Sequence, residues 1–160
     1  MSQQYLISIC IPAYKRIVDL EKLLDSIGRQ TFKDFEVIVT DDSPDDTVKN
    51  FCDNYPNNFA LTYCKNNPVL GTPENWNEGI RKATGQWVKL MHDDDYFASD
   101  DSLALFVAAI QTNPEAKFFY SAFVFEDLAN NTQKVIRCNW YDRFFFKPVA
   151  LSLIETKLFW

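Results

Sequence analysis

The sequence predicts an α/β domain, a mostly parallel sheet with helices on both faces. Two observations carry that expectation: short apolar, β-branched runs alternate four times with segments of helical apolar spacing, and the runs themselves are continuous rather than alternating. In such sheets ligands collect at the carboxyl ends of the strands, so the residues just after each strand are the ones to inspect.

The elements follow in order. Residues 6–11 form a β-branched run stopped by Pro12 and predict a buried central strand. Ile17, Leu20, Leu24 and Ile27 recur at three- and four-residue spacing with Leu23 beside them, and Gly28 lies near the end of that helix. Residues 35–39 predict the second strand. Ser43, Pro44 and Asp46 have the pattern of an N-cap, a first-turn proline and an acidic third residue, ahead of a helix whose apolar face is Val48, Phe51, Cys52 and Tyr55. Residues 59–64 predict a third strand. A third helix opens at Thr72-Pro73-Glu74, with Trp76, Ile80 and Ala83 inward and Gly85 placed to end it. Residues 86–91 make the fourth strand and run straight into His92-Asp93-Asp94-Asp95. A fourth helix over 100–112 buries Leu103, Phe106, Val107 and Ile110. Residues 117–125 predict a long aromatic strand, and Asn130-Asn131 turns the chain into a return strand over 134–138. Residues 143–160 carry no legible pattern.

At 160 residues and 47% hydrophobic, the chain buries a core as one domain without disulfides or a structural metal. Sixteen basic against 22 acidic residues leave a net charge of −6 with no Lys/Arg cluster, which argues against nucleic acid as a partner. Any phosphate bound here needs backbone donors, a few placed cations or a divalent metal. Cys10, Cys52, Cys64 and Cys138 lie far apart with a single histidine, His92, which argues against a zinc site, and Cys10 and Cys64 in apolar strand runs and Cys52 on an apolar helix side read as buried thiols in a reducing compartment. The opening apolar run is too short for a signal peptide and no stretch approaches twenty apolar residues; the expectation is a cytoplasmic chain without its own membrane span.

Three clusters follow strand ends: Pro12-Ala13-Tyr14-Lys15-Arg16, Asp41-Asp42-Ser43 and His92 to Asp95. Carboxylates gathered at one sheet edge repel one another, and a bound divalent cation relieves that repulsion, with Mg²⁺ or Mn²⁺ matching an all-oxygen donor set. The competing reading of the Asp triplet is a solvated turn capping the next helix. An EF-hand fails because Ala98 stands where its glycine belongs, and the four glycines form no phosphate-binding loop. A receiver domain of two-component signalling fails as well, lacking a lone phosphorylatable Asp and a later Lys in the right places.

The strings SICIPAYKR, QTFKDFEVIVTDDSPDDT and NWNEGIRKATGQWVKLMHDDDYF, in that order and spacing, resemble the nucleotide-sugar half of family 2 glycosyltransferases over about residues 5 to 125. The resemblance implies the GT-A fold, a Rossmann-like parallel sheet, and metal-dependent transfer of a sugar with inversion from a nucleotide-diphosphate sugar to an acceptor hydroxyl. Among donors a UDP-sugar is the default; the acceptor is a saccharide or lipid-linked saccharide, in a bacterial surface-polysaccharide setting. It places Pro12, Ala13 and Tyr14 at the base, with Asp42 accepting a hydrogen bond from it, and Arg16 near phosphate. The triplet resembles the DxD motif: Asp94 is the first-ranked metal ligand, Asp95 the second, and Asp93 a ribose contact or ligand. His92 falls on the motif's first acidic position and reads as a strand-end filler. Many members carry an Ala-Arg-Asn string where this chain has Asn75-Trp76-Asn77, so a cationic phosphate contact is missing at Trp76, while Asn77 is left to bond the neighbouring loop. Plainer roles compete at several positions: core packing for Tyr14, a helix cap for Asp42, and a surface place for Arg16 and Asn77.

Within one domain, 1–160, residues 1–125 are expected to be the donor-binding core and 126–160 the start of an acceptor-side region. The catalytic base stays unassigned, since Glu126, Asp127, Asp142 and Glu155 match no base motif. The expectation is therefore the donor-binding portion of a longer enzyme, and the alternative a non-catalytic nucleotide-sugar-binding fragment or scaffold. Trp140, Tyr141, Phe144, Phe145, Phe146, Phe159 and Trp160 are read first as core or homodimer packing and second as a peripheral contact with the inner face of a membrane.

Overall fold

Two strands are buried at every residue, β1 (Ile7–Ala13) and β2 (Phe35–Asp41), which is why their sequences are apolar throughout instead of alternating. With β3 (Ala60–Lys65) and β4 (Trp87–Leu90) they form a parallel sheet in the order β3-β2-β1-β4. The computed structural model describes residues 5–127 and 130–136, and the backbone of one further strand, Thr156–Leu158. Cys138, Asp142, Glu155 and the seven aromatic residues from Trp140 to Trp160 named above lie outside the described residues.

Helices cover both faces, as the alternation predicts. On one face α1 (Ile17–Gly28) packs Leu20, Leu23, Leu24 and Ile27 against Ile9, Ile11, Val37 and Val39, joined by Val48 and Cys52 of α2 (Thr47–Asn54) and by Leu103 and Val107 of α4 (Ser102–Thr112). On the other face lies α3 (Glu74–Lys82), so close that a Cβ on Gly79 would sit 3.2 Å from the Cys10 Cβ and 3.6 Å from the Thr40 hydroxyl. A second sheet has the order β5-β8-β6-β7, where β5 is Tyr96–Phe97, β6 Phe123–Asp127, β7 Thr132–Ile136 and β8 Thr156–Leu158. The β6–β7 hairpin turns at Asn131, whose φ of 49° is the left-handed conformation that Asn tolerates better than most residues.

Several expectations are corrected. Pro12 does not stop β1 but pairs in register with Thr40; it lies past Cys10, the last β1 residue paired with β4, where the strand has a neighbour on one side only. Ser43 does not cap α2, which starts four residues later at Thr47; the Ser43 hydroxyl instead accepts from the Lys15 backbone N–H at 2.9 Å. The inner face of α3 is Asn75 and Gly79, while Ile80 is 44% exposed, because a small residue and a hydrogen-bonded amide allow the helix nearer the sheet than Trp76 or Ile80 could. Gly85 ends nothing, since α3 finishes at Lys82. Residues 117–122 are not a strand, and β6 begins only at Phe123. The start of α4 is held from outside: the buried Gln30 amide accepts from Leu103 N–H at 2.9 Å and donates to the Ser99 carbonyl at 2.9 Å.

Cys10, Cys52 and Cys64 are free thiols, and burial pushes those of Cys10 and Cys52 up to about 12, so they serve as small core residues. Among the described residues no helix is long and apolar enough to cross a membrane.

Candidate functional site

The chain order reverses direction across the sheet between β1 and β4, and the crevice that opens at such a switch point is where doubly wound sheets take ligands. A cavity of about 950 Å³ lies there. Pro12, Ala13, Tyr14 and Arg16 form its wall from the end of β1, Asp42 from β2, and His92 to Asp95 from β4. All the candidate residues read from the sequence are thus brought together except Asn77, which donates to Glu74 on its own helix at 3.1 Å and does not reach the cavity. Its neighbour Asn75 makes the loop contact instead, accepting from Asn66 Nδ2 at 2.9 Å.

Local conformation sets the β1 end. Lys15 adopts φ 65°, a left-handed turn that a lysine takes only where its surroundings hold it, and the Lys15 N–H is fastened to Ser43. That turn carries Tyr14 N–H onto Asp93 Oδ2 at 3.0 Å and lays the Arg16 guanidinium against Asp94 Oδ2, with Asp93 Oδ1 3.9 Å away. Tyr14 is 51% exposed, so its ring is presented to the cavity rather than packed in the core.

The two aspartates after β2 separate in role. Asp41 is fully buried and structural, accepting from Ser43 N–H, Tyr63 OH and Lys65 Nζ at 2.7, 2.7 and 3.1 Å. Asp42 accepts from Asn66 Nδ2 and Leu70 N–H on Oδ1 and from Gly71 N–H on Oδ2, at 2.8, 3.1 and 2.7 Å. Gly71 has φ 73°, so the turn that brings both N–H groups onto Asp42 requires glycine. The helix-cap role for Asp42 is absent; it clamps the loop that forms one rim of the cavity.

Asp93 and Asp95 are buried, and Asp94 between them is half-buried. Asp95 Oδ2 accepts from His92 N–H at 3.2 Å, but its Oδ1 is buried with no hydrogen-bond partner, a costly state for a carboxylate oxygen. Burial raises Asp93 to about 6 and Asp95 to about 7, the Tyr14 and His92 N–H groups opposing the shift in part. A folded value of about 7 against an ordinary 3.8 means that the folded state holds its proton longer than the unfolded chain. Stability attributable to Asp95 is therefore lost as pH climbs from about 4 to about 7. Asp95→Asn, which keeps the neutral form, is expected to stabilise the metal-free protein by about 1–2 kcal/mol near pH 8 and to change little near pH 4. Thermal melts at both values check this, and an Asn variant no more stable than wild type near pH 8 would refute it.

The donor set suits a hard divalent cation: carboxylate oxygens only, one of them orphaned. Among the described residues no three side chains of His, Cys, Asp or Glu converge to hold a metal unaided, so an ion here takes remaining ligands from elsewhere, as Mg²⁺ commonly does from phosphate oxygens. Sequence reading missed two parts of the wall, the loop at Val69, Gly71 and Thr72 and the α1 residues Asp19 and Lys22, and it left Glu126 and Asp127, which follow Phe125 at the end of β6, as acids without an assigned role. Glu126 accepts from Tyr96 OH and Gln133 Nε2 at 2.7 and 2.6 Å, and Asp127 from Asn130, which ties the hairpin to the cavity. Glu126 and Asp127 are consecutive acids on a strand, a signal that gains meaning only once the strand is placed.

This fold and crevice define a domain of the GT-A glycosyltransferase class. The signature of Glycosyl transferase family 2 matches residues 8–157, and the chain belongs to that family. The GalNAc(5)-diNAcBac-PP-undecaprenol beta-1,3-glucosyltransferase of Campylobacter jejuni is 37% identical over 95 residues, 58% of this chain and 31% of that protein. The structure of S. aureus TarS 1-349 in complex with UDP-GlcNAc superposes with a TM-score of 0.61 at 26% identity, covering 75% of this chain and 34% of that one. The mannosyltransferase PcManGT of Pyrobaculum calidifontis, in complex with GDP-Man and Mn²⁺, shares the fold with a TM-score of 0.58 at 24% identity, over 81% of this chain and 38% of that one. The chain spans about a third of the length of the curated relatives it matches, 38% and 31% of the first two.

Proposed function

We propose that the cavity binds a nucleotide-diphosphate sugar with Mn²⁺ or Mg²⁺, and that the chain serves inverting transfer of that sugar to an acceptor hydroxyl. The observation that carries this reading is the buried, partnerless Asp95 Oδ1 beside Asp94 and Asp93, at the edge where the ends of β1 and β2 bring Tyr14, Arg16 and Asp42. Asp94 and Asp95 would hold the ion, and Asp93 the ribose or the ion. Bound there, the cation supplies positive charge against the diphosphate that leaves. Arg16, already on Asp94, adds a cation at the same place, and Tyr14, Ala13 and Pro12 offer the base a surface.

Asp42 bears on which base. A carboxylate has about four acceptor positions, and three are taken by Asn66, Leu70 and Gly71. The remaining one matches the single N–H on the pairing edge of uracil or thymine and falls short of the two donors of guanine. A UDP- or dTDP-sugar is therefore favoured over a GDP-sugar, with a UDP-sugar the default of the two. The Campylobacter jejuni relative, by name a glucosyltransferase of a saccharide on undecaprenyl diphosphate, supports a lipid-linked saccharide as acceptor.

Calorimetric titration of UDP, GDP and dTDP, each with Mn²⁺ and with EDTA, tests the reading. UDP binding that depends on the metal is expected, and binding of none of the three would overturn it. That none of the acids Glu126, Asp127, Asp142 and Glu155 matches a base motif favours a second reading, donor binding without transfer. Hydrolysis or transfer of a UDP-sugar by this chain would decide against it.

A further inference from the structure

We propose that Trp76 selects the sugar of the donor by stacking its indole on the apolar C–H face of a hexopyranose. The inference rests on the reading of the cavity as a nucleotide-sugar site and adds to it a residue and a substrate class. A pyranose presents hydroxyls around its rim and C–H groups on its faces, so a site that grips one needs both polar acceptors and a flat apolar surface. The cavity supplies both: Asp19, Asp42, the Asp triplet, Glu126 and Asp127 line it with carboxylates, and its flat apolar surfaces are Tyr14, Phe125 and Trp76, the one indole there among the described residues.

Position assigns Trp76 to the sugar rather than the base. Its ring lies edge-to-face with the His92 imidazole, 4.7 Å between centroids and 89° between planes, which sets it beside the first residue of the Asp triplet. Tyr14, by contrast, follows β1, the neighbour of the strand that carries Asp42, and already has Lys15 Nζ 5.0 Å from its ring centroid. The indole is also held in place. The Trp76 backbone N–H donates to the Pro73 carbonyl at 3.1 Å, and the residue before it is pinned to the sheet by Thr40 Oγ1 on its carbonyl at 3.0 Å and by Asn66 on its side chain. An aromatic ring whose backbone and ring partner are both fixed loses little freedom when a ligand stacks on it. Carrying no charge, the indole face offers the diphosphate no ionic contact, so a stacking contribution appears only when the sugar is present.

The test compares UDP with UDP-glucose, UDP-galactose, UDP-GlcNAc and UDP-GalNAc, all with Mn²⁺, on wild type, Trp76→Ala and Trp76→Phe. Wild type is expected to prefer one of the four sugars. In Trp76→Ala the affinity for UDP stays within about twofold while that for the preferred UDP-sugar falls about tenfold, the size of one lost aromatic contact, and the spread among the four narrows. Trp76→Phe keeps most of the preference. Unchanged UDP binding also certifies that the Ala variant is folded. Equal losses for UDP and UDP-sugar, an unchanged ratio between them, or a wild type indifferent to the sugar would each overturn the assignment and leave the nucleotide reading standing. A wild type that binds no UDP would overturn both.

Discussion

Asp94→Ala is expected to lose the metal-dependent part of UDP binding, a fall in affinity on the order of 100-fold with Mn²⁺ present. The side chain faces the cavity and its Oδ2 is met by the Arg16 guanidinium, a cation for which the donor's phosphate would compete while a metal ion would compete for the carboxylate. Removing the carboxylate has two opposed consequences. It takes away a ligand that no other side chain replaces, since no three acidic or imidazole groups converge among the described residues. It also frees Arg16 to meet phosphate and removes one negative charge from a strongly acidic wall. In EDTA the variant is therefore expected to bind UDP at least as well as wild type, and with Mn²⁺ far worse. This crossing separates a metal ligand from a residue that merely shapes the loop, which would weaken binding in both conditions. If Mn²⁺ strengthened UDP binding in the variant as much as in wild type, Asp94 would not hold the ion.

How much of this was legible in the sequence depends on whether the deciding contact is local. The three- and four-residue spacing of Ile17, Leu20, Leu24 and Ile27 and the apolar runs of β1 and β2 are local signals of burial, and those elements stand where they were expected. The place of the Asp triplet at the sheet edge was legible because it follows a strand directly. What long-range contacts decide was not. The polar inner face of α3 follows from Asn75 reaching Asn66 and from Gly79 meeting Cys10, neither of which has a periodic signature. The clamp on Asp42 closes over a loop 28 residues away, and Gln30 caps a helix 73 residues on. Residues 117–122 have the composition of a strand, yet Phe118 is 71% exposed and Phe119 touches Trp87 only through its ring, without a ladder to join. Composition reports that a segment could pair, while the partner decides whether it does.

Gly85→Ala is expected to destabilise the protein by about 3 kcal/mol, the largest stability effect of any single methyl considered. A Cβ at this position would lie 2.7 Å from the Ser8 backbone nitrogen, 2.8 Å from the Ile7 carbonyl carbon and 2.8 Å from Ser8 Oγ. Two of these atoms belong to the backbone of β1, buried and paired on both sides here, so the neighbour cannot give way. The third anchors a buried polar cluster: Ser8 Oγ donates to Glu36 Oε1 at 2.6 Å and accepts from Gly85 N–H at 2.8 Å, while Thr84 donates twice to the same carboxylate oxygen. Pushing Gly85 away breaks that cluster and leaves Glu36 underbonded in the interior. Gly79→Ala offers the comparison, because its Cβ would meet a side-chain carbon at 3.2 Å; about 1 kcal/mol is expected there. Urea unfolding of both variants checks the order, and a Gly85 variant as stable as the Gly79 one would show that β1 yields at Ser8. Since Gly85 lies at the opening of β4 and the triplet beyond its other end, the folded fraction of Gly85→Ala should bind UDP and Mn²⁺ as wild type does. A loss of binding in molecules that remain folded would mean that β4 shifts along β1 as a unit and carries Asp93, Asp94 and Asp95 with it.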